Sequence, residues 1–184
     1  LCEALGVVGI PDFNGHESAQ DMADFIDFAT GTDKNNPWVQ KRIEMGHPEP
    51  YKLPYLQYGN EEKVNLDFAS RFNAAAKAIW EKDDDIILVV GDFAYQQPIG
   101  DPYNFTGADS GITSLEGQKA ILDQAVKYDR EVWFDVHVFT ETQGNSRHYF
   151  EALTSFYYQL KQICPDAKVK LPIFEFNANT HDVV

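Results

Sequence analysis

The sequence predicts an α/β protein with a parallel sheet, and more specifically part of a (β/α)8 (TIM) barrel. Short apolar runs alternate with amphipathic stretches along the chain, which is the pattern of strands joined by right-handed helical crossovers. Polar side chains follow the strands at the positions where a barrel carries its chemistry. The 184 residues contain five such units. Because a complete barrel typically needs about 250 residues, we expect an interior piece of a barrel.

Five apolar runs are predicted to be the strands. Their apolar residues are consecutive rather than alternating in runs such as IILVVG. This is expected of parallel strands that are covered on both faces. The runs are Val7–Phe13, Pro54–Tyr58, Ile86–Gly91, Val132–Phe139 and Leu171–Phe176.

Three amphipathic stretches between the strands are predicted to be helices. Apolar residues recur at helical spacing in Phe68–Trp80, and the spacing repeats in Ile121–Val126 after a start at Ser114. A third stretch, Tyr149–Cys164, is followed by Pro165, which cannot continue a helix. Helices in these places would cover the predicted sheet.

Three further segments complete the prediction. LCEALG at the start is typical of a helix end closed by Gly6. Residues 30–53 are expected to form a loop with a short helix, and residues 96–113 a turn-rich loop. Since the chain starts with Leu1 in what looks like the middle of an element, we expect a fragment of a longer protein.

Two architectures fit the alternation, a doubly wound open sheet and a barrel. The nucleotide-binding forms of the open sheet lack their usual signal, because neither GxGxxG nor GxxxxGK[ST] occurs. Polar side chains at the strand ends favour the barrel, whose active sites lie at the carboxyl ends of its strands. These residues are Asn14, Asn60 with Glu61, Asp92, Asp135 with His137, and Glu175 with Asn177.

The composition excludes several classes of partner. With 15 basic and 29 acidic residues the formal net charge is −14, which argues against nucleic acid, an anionic membrane surface or a phosphorylated substrate. No apolar run is long enough to span a bilayer. The five histidines and two cysteines have no metal-binding spacing, so we expect no metal and no cofactor. The sequence does not decide between an extracellular and a cytoplasmic location.

Glu61 and Glu175 are the candidate catalytic pair. Each follows an apolar strand with an amide nearby, Asn60 beside the first and Asn177 two positions after the second. Strand ends three units apart lie across the mouth of a barrel, where two carboxylates can face one another over a ligand. Glycoside hydrolysis needs such a pair, one to protonate the leaving oxygen and one to attack or to activate water. From the residues alone, two ordinary polar strand ends are an equal alternative.

Several segments resemble one family. Met45–Tyr51 reads MGHPEPY and Leu56–Glu61 reads LQYGNE. With LCEALG, DVHVF at Asp135–Phe139 and FEFNA at Phe174–Ala178, they closely resemble glycoside hydrolase family 51, the α-L-arabinofuranosidases, which are retaining glycosidases of clan A. The resemblance covers nearly the whole chain and implies approximately barrel strands 3 to 7. Residues 1–184 would be a fragment of a single catalytic domain, with the family's β-sandwich domain absent.

The resemblance implies a role for each matching residue. Glu61 corresponds to the general acid/base, Glu175 to the nucleophile and Asn60 to the amide that contacts the sugar 2-hydroxyl. The carboxyl groups of a retaining pair are about 5–5.5 Å apart. The implied activity is release of arabinose from the non-reducing ends of plant arabinoxylan- or arabinan-type glycans. The implied partner is thus an arabinose-containing oligo- or polysaccharide, and homo-oligomerisation of the full-length protein is left open.

The remaining candidates would line the sugar site. They include Asn14, Asn177 and His137, although a structural, hydrogen-bonded imidazole is an equal alternative for His137. Phe139 departs from the family, which usually has Tyr there, because its ring cannot donate a hydrogen bond. Either another hydroxyl supplies that bond or the preferred substrate differs. A related barrel glycosidase (an endoglucanase or xylosidase) and a non-catalytic carbohydrate-binding barrel are therefore the alternative functions.

Overall fold

The computed structural model describes residues 1–92, 97–106, 111–140 and 145–178. None of the helices formed by these residues is long and apolar enough to span a membrane. The helices are α1 (Cys2–Leu5), α2 (Ala19–Thr30), α3 (Pro37–Glu44), α4 (Leu66–Trp80), α5 (Glu116–Lys127) and α6 (Asn145–Ile163). The strands are β1 (Asp12–Phe13), β2 (Tyr55–Glu62), β3 (Ile87–Asp92), β4 (Glu131–Asp135), β5 (His137–Thr140), β6 (Lys168–Lys170) and β7 (Glu175–Ala178).

The strands of the described residues form two parallel sheets. The larger sheet has the order β1-β2-β3-β4-β6, and the smaller one pairs β5 with β7. All the pairings are parallel. Within each sheet the strands lie in the order of the chain, as predicted from the alternation of strands and helices.

The larger sheet has one face in the helix-covered core and one face of mixed polarity. One row of paired residues crosses four strands and lies in the core that α2, α4, α5 and α6 share. This row is Leu56, Leu88, Val132 and Val169. The next row points to the opposite face, because successive side chains alternate along a strand. It consists of Gln57, Val89, Trp133 and Lys170. These four helices therefore cover the same face, whereas a doubly wound sheet carries helices on both.

The first predicted strand is much shorter than expected. Of the run Val7–Phe13, only Asp12 and Phe13 pair with β2, and Val7 and Val8 are 55% and 63% exposed. In the described sheet β1 is an edge strand with β2 as its neighbour. The start of the run consequently has no strand to pair with in the described residues, and the prediction of a strand there is wrong.

One predicted strand is divided, and another begins later than predicted. The run Val132–Phe139 forms β4 and β5, which belong to different sheets and separate at Val136. The N–H of Val136 donates to the carbonyl of Pro172 at 3.1 Å instead of joining a ladder. In the run Leu171–Phe176 only the last two residues belong to a strand, the start of β7. Pro172 interrupts the ladder because it has no N–H to donate.

The helix predictions are confirmed with local differences. The predicted apolar stripe of α4 is buried, Phe68, Phe72 and Trp80 included, and each large apolar side chain contributes about 1.5–3 kcal/mol on burial. α5 begins at Glu116 rather than at Ser114, with Leu115 at the N-cap position.

The other predicted helices are also present, although α6 begins at Asn145, four residues before the predicted start at Tyr149. α1 ends at Gly6, whose φ of 67° is left-handed as expected for a helix end. α3 is the short helix expected within residues 30–53, and α6 covers all but the last residue of the third predicted stretch. The described residues of the predicted loop 96–113 contain no strand or helix, and residues 96 and 107–110 lie outside the description.

Arg42 connects α2 to the segment before β2. Its side chain is 1% exposed, and its guanidinium donates to the carbonyls of Phe28 at 2.7 Å and Gly31 at 2.9 Å at the end of α2. It also donates to the carbonyl of His47 at 3.3 Å. A helix C-terminus leaves carbonyls without partners and favours a nearby cation. Arg42 meets both needs and fixes the segment that leads into β2.

Candidate active site

The end of β2 is irregular, and this irregularity directs Glu61. The pairing of β2 with β3 shifts register between Tyr58 and Glu62. Gly59 has φ of 79° and Glu61 has φ of 50°, which is unusual for a residue with a side chain. Glycine adopts this conformation readily, but for a residue with a side chain such as Glu61 it costs about 1–3 kcal/mol, and such residues are concentrated at functional sites. A bulge of this kind re-aims a side chain at the edge of a sheet.

His137 brings the two candidate carboxylates together. Its Nδ1 lies 2.9 Å from Oε1 of Glu61 and 3.5 Å from Oε2 of Glu175. The His137 side chain is 3% exposed, whereas those of Glu61 and Glu175 are 42% and 53% exposed. The two carboxylates, which are far apart in the sequence, therefore meet at one buried nitrogen and remain accessible to a ligand.

Asp135 holds the other side of the imidazole. Its Oδ2 lies 3.1 Å from Nε2 of His137, and its Oδ1 accepts the backbone N–H of Phe174 at 2.9 Å. The side chain of Gln57 is a further hydrogen-bond partner of Asp135. Asp135 is 1% exposed, so both of its oxygens are used inside the protein.

The carboxylates around the imidazole of His137 raise its pKa. Burial disfavours protonation of His137, but the hydrogen bond to Glu61 and the charges of Asp135 and Glu175 outweigh burial and raise the pKa of His137. Burial also raises the pKa of Asp135, although its hydrogen bonds to Phe174 and His137 oppose this. At β1, burial and the charge of Asp135 raise the pKa of Asp12. The site therefore gathers acidic groups around one imidazole that keeps its proton to higher pH than usual.

The structure does not bring all predicted sugar-site residues to this ring. Asn60 is exposed beside Glu61 on β2. Asn14 is exposed, and its Oδ1 accepts the N–H of His16 at 2.9 Å, which is a local turn contact. Phe139 lies with its ring centroid 6.4 Å from that of His137, at an interplanar angle of 80°. The side chain of Asn177 lies outside the described part of the chain, although its backbone pairs with Phe139.

Sequence reasoning missed the contact between Asp135 and His137. Both residues were recognised as the polar end of one predicted strand, but only His137 was given a role in the site. Their spacing of two residues was the available signal, since residues i and i+2 share a face of a strand. Among the described residues, no group of three or more His, Cys, Asp or Glu side chains is arranged to hold a metal ion.

Carboxylates from several parallel strands meet at one imidazole, with Glu61 and Asp135 near the ends of β2 and β4 and Glu175 at the start of β7. They define an α/β protein with an acidic, ligand-accessible site. Residues 8–155 match the family model described as the alpha-L-arabinofuranosidase 1 domain. The chain belongs to this family.

Two relatives agree with this assignment, and one solved structure shares the fold. An extracellular exo-alpha-L-arabinofuranosidase of Streptomyces chartreusis is 41% identical over 70 residues, which cover 38% of this chain and 8% of that protein. Alpha-L-arabinofuranosidase 2 of Arabidopsis thaliana is 33% identical over 86 residues, covering 47% of this chain and 13% of that protein. The crystal structure of the GH51 arabinofuranosidase from Xanthomonas axonopodis pv. citri has a TM-score of 0.61 at 16% identity, covering 96% of this chain and 38% of that one.

The structural comparison concerns the fold, and the sequence comparisons concern parts of longer relatives. The structural match shows that the α/β fold with its parallel sheet is shared with a GH51 enzyme. The sequence matches extend over small parts of the relatives. The chain thus corresponds to one section of much longer proteins.

Proposed function

We propose that this chain is part of the catalytic domain of a retaining α-L-arabinofuranosidase that releases arabinose from the non-reducing ends of plant arabinoxylan- or arabinan-type glycans. One observation carries the proposal: an oxygen of Glu61 and an oxygen of Glu175 both lie within 3.5 Å of Nδ1 of His137. Family membership supports the choice of substrate class. The acidic site suits a neutral sugar better than an anionic ligand.

The proposal includes the architecture. We assign residues 1–184 to an interior part of one (β/α)8-barrel domain, approximately strands 3 to 7. The helices cover one face of the larger sheet and leave the other uncovered by them, which supports this, because the inner face of a barrel points away from its helices. Exposed apolar residues at both ends of the described sheets also support it. They are Leu1, Leu5, Val7 and Val8 near β1, and Ile173, Phe174 and Phe176 near β7.

The mechanism has two steps. In the first, a carboxylate oxygen of Glu175 attacks the anomeric carbon, the bond to the leaving oxygen breaks, and the carboxylic acid of Glu61 gives its proton to that oxygen. In the second, the Glu61 carboxylate takes a proton from water. The resulting hydroxide attacks the anomeric carbon and releases Glu175. Asn60, exposed beside Glu61, would contact the sugar, with His137, Phe139, Asn14 and Asn177 as the further residues of its pocket.

The full-length protein should hydrolyse aryl α-L-arabinofuranosides in preference to aryl β-xylosides and β-glucans. NMR of the first product should show the anomeric configuration of the substrate. Preference for xylosides or glucans would instead favour a related barrel glycosidase. Binding of arabino-oligosaccharides without turnover would favour a carbohydrate-binding protein and refute the proposal.

Variants distinguish the proposed roles of the two carboxylates. Glu175→Gln should abolish turnover of every aryl arabinofuranoside, because no nucleophile is left. Glu61→Ala should affect activated leaving groups least, and azide should restore turnover by attacking the arabinosyl-enzyme. Glu62→Gln is the matched control, since the Glu62 carboxylate lies against Gly15 and Gly59 rather than at His137. Equal effects of Glu61→Ala and Glu62→Gln would contradict the assignment.

A further inference from the structure

The imidazole of His137 lies between acidic groups from four strands. Glu61 on β2 and Glu175 on β7 contact Nδ1, and Asp135 on β4 contacts Nε2. Asp12 on β1 interacts with the ring electrostatically. At the end of β3, Asp92 accepts a hydrogen bond from Gln118 at 2.9 Å. Asp135 and Asp92 are both buried, at 1% exposed, which excludes them from contact with a sugar, and the carboxylate of Asp135 lies 3.1 Å from the ring of His137.

The contacts of Asp135 fix the orientation of the ring. A backbone N–H holds Oδ1, so that Oδ2 faces Nε2 of His137. A carboxylate can only accept hydrogen bonds, and it therefore requires a proton on Nε2. The other ring nitrogen, Nδ1, is then directed at both Glu61 and Glu175.

During the proposed reaction the negative charge changes place. Before the first step Glu175 is ionised and Glu61 is protonated. In the arabinosyl-enzyme Glu175 is an uncharged ester and Glu61 is the carboxylate. A cation fixed between the two would compensate either charge without moving, and preorganised charges of this kind act without reorganisation cost.

We propose that Asp135 is a positioning residue that holds protonated His137 between Glu61 and Glu175, so that one imidazolium compensates the charge of each carboxylate in turn. The inference rests on the proposed function and goes beyond it, because it assigns a role to a buried residue that does not touch the sugar. No proton leaves the Asp135–His137 pair in either step.

Asp135→Asn in the full-length protein tests this inference. Asparagine has one acceptor oxygen, so it can accept from Phe174 or from His137 but presents its NH2 group to the other. Removing the carboxylate removes a charge that raises the pKa of His137. We expect the pKa of His137 to fall and kcat to fall by about 10²-fold, with a much smaller change in KM.

The pH profile distinguishes positioning from a general loss of structure. His137 is active as the cation, so the alkaline limb of kcat should move to lower pH by the same amount as the titration of His137, followed by 15N NMR of histidine-labelled protein. Glu131→Gln is the matched control, because Glu131 lies on the same strand but contacts Lys170 and Trp133 at its other end. This variant should leave both the titration and the alkaline limb in place.

Each result decides the question. A wild-type His137 that titrates below an ordinary histidine overturns the inference, whether or not Asp135→Asn folds. So does an active Asp135→Asn protein whose alkaline limb does not move, while the proposed function survives. A wild-type protein without glycosidase activity refutes the proposed function and this inference with it.

Discussion

Gly91→Ala should impair the proposed catalysis by displacing the strand that carries Glu61. A Cβ on Gly91 would lie 2.1 Å from the carbonyl oxygen of Gly59 and 2.8 Å from Cα of Asn60, whereas ordinary contact begins at 3.4 Å. Both neighbours are backbone atoms of β2, so no side chain can rotate away. The backbone at the bulge must therefore move by roughly 1 Å, and a displacement of that size can reduce a catalytic rate by about 10²-fold.

The assay compares kcat/KM of the full-length Gly91→Ala variant with its thermal stability. Overpacking of this kind costs about 1–3 kcal/mol, so we expect a folded protein with a lower melting temperature. The matched control is Gly100→Ala, since a Cβ there meets nothing within 4 Å. A folded Gly91→Ala protein with kcat/KM within twofold of wild type would refute the link between this close approach and the position of Glu61.

Three further predictions concern stability. Arg42→Met should lower the free energy of unfolding by about 3 kcal/mol, since it leaves buried carbonyls without a donor. Chemical denaturation measures this change. Arg147 is exposed, so Arg147→Met should have little effect on the free energy of unfolding. The hydrogen bond that the His47 ring donates to the Glu3 carboxylate raises the pKa of His47, so their contact should be strongest below the ordinary histidine pKa and weaken as pH rises through the raised value. Faster amide exchange of α1 at pH 8 than at pH 6, after correction for the intrinsic rate, would show this, and Glu3→Gln should abolish the difference. Residues 1–184 alone should be inactive and poorly soluble because of their exposed apolar ends; a soluble monomer with turnover would contradict that.

The sequence predicted the elements whose determinants are local. The stripe of α4 follows from the spacing of its own apolar residues, and the end of α1 follows from Gly6. Strand lengths were predicted less well, because a strand requires a partner as well as a suitable composition. Val7 and Val8 have β-favouring side chains but no neighbouring strand in the described residues, and no local pattern could reveal this.

For the candidate site, the sequence identified the candidate catalytic residues but not the backbone geometry that places them. Glu61 and Glu175 could be identified because each belongs to a specific motif beside or within an apolar run. The left-handed backbone of Glu61 could not, since it depends on the register shift between β2 and β3. The division of one predicted strand at Val136 was equally hidden, because it requires the carbonyl of Pro172 from a distant part of the chain.

That division connects the two sheets at the site. His137 is paired in register with Glu175 in the smaller sheet, whereas Asp135 is paired with Gly91 in the larger one. Gly91 in turn approaches the backbone of Gly59 and Asn60 directly before Glu61. Backbone pairing therefore connects Glu175 to His137, and it connects Asp135, through Gly91, to the backbone before Glu61. The contact between Asp135 and His137 joins these two halves of the site. A change at any of these positions should disturb the distance between Glu61 and Glu175, which is the quantity on which a retaining mechanism depends.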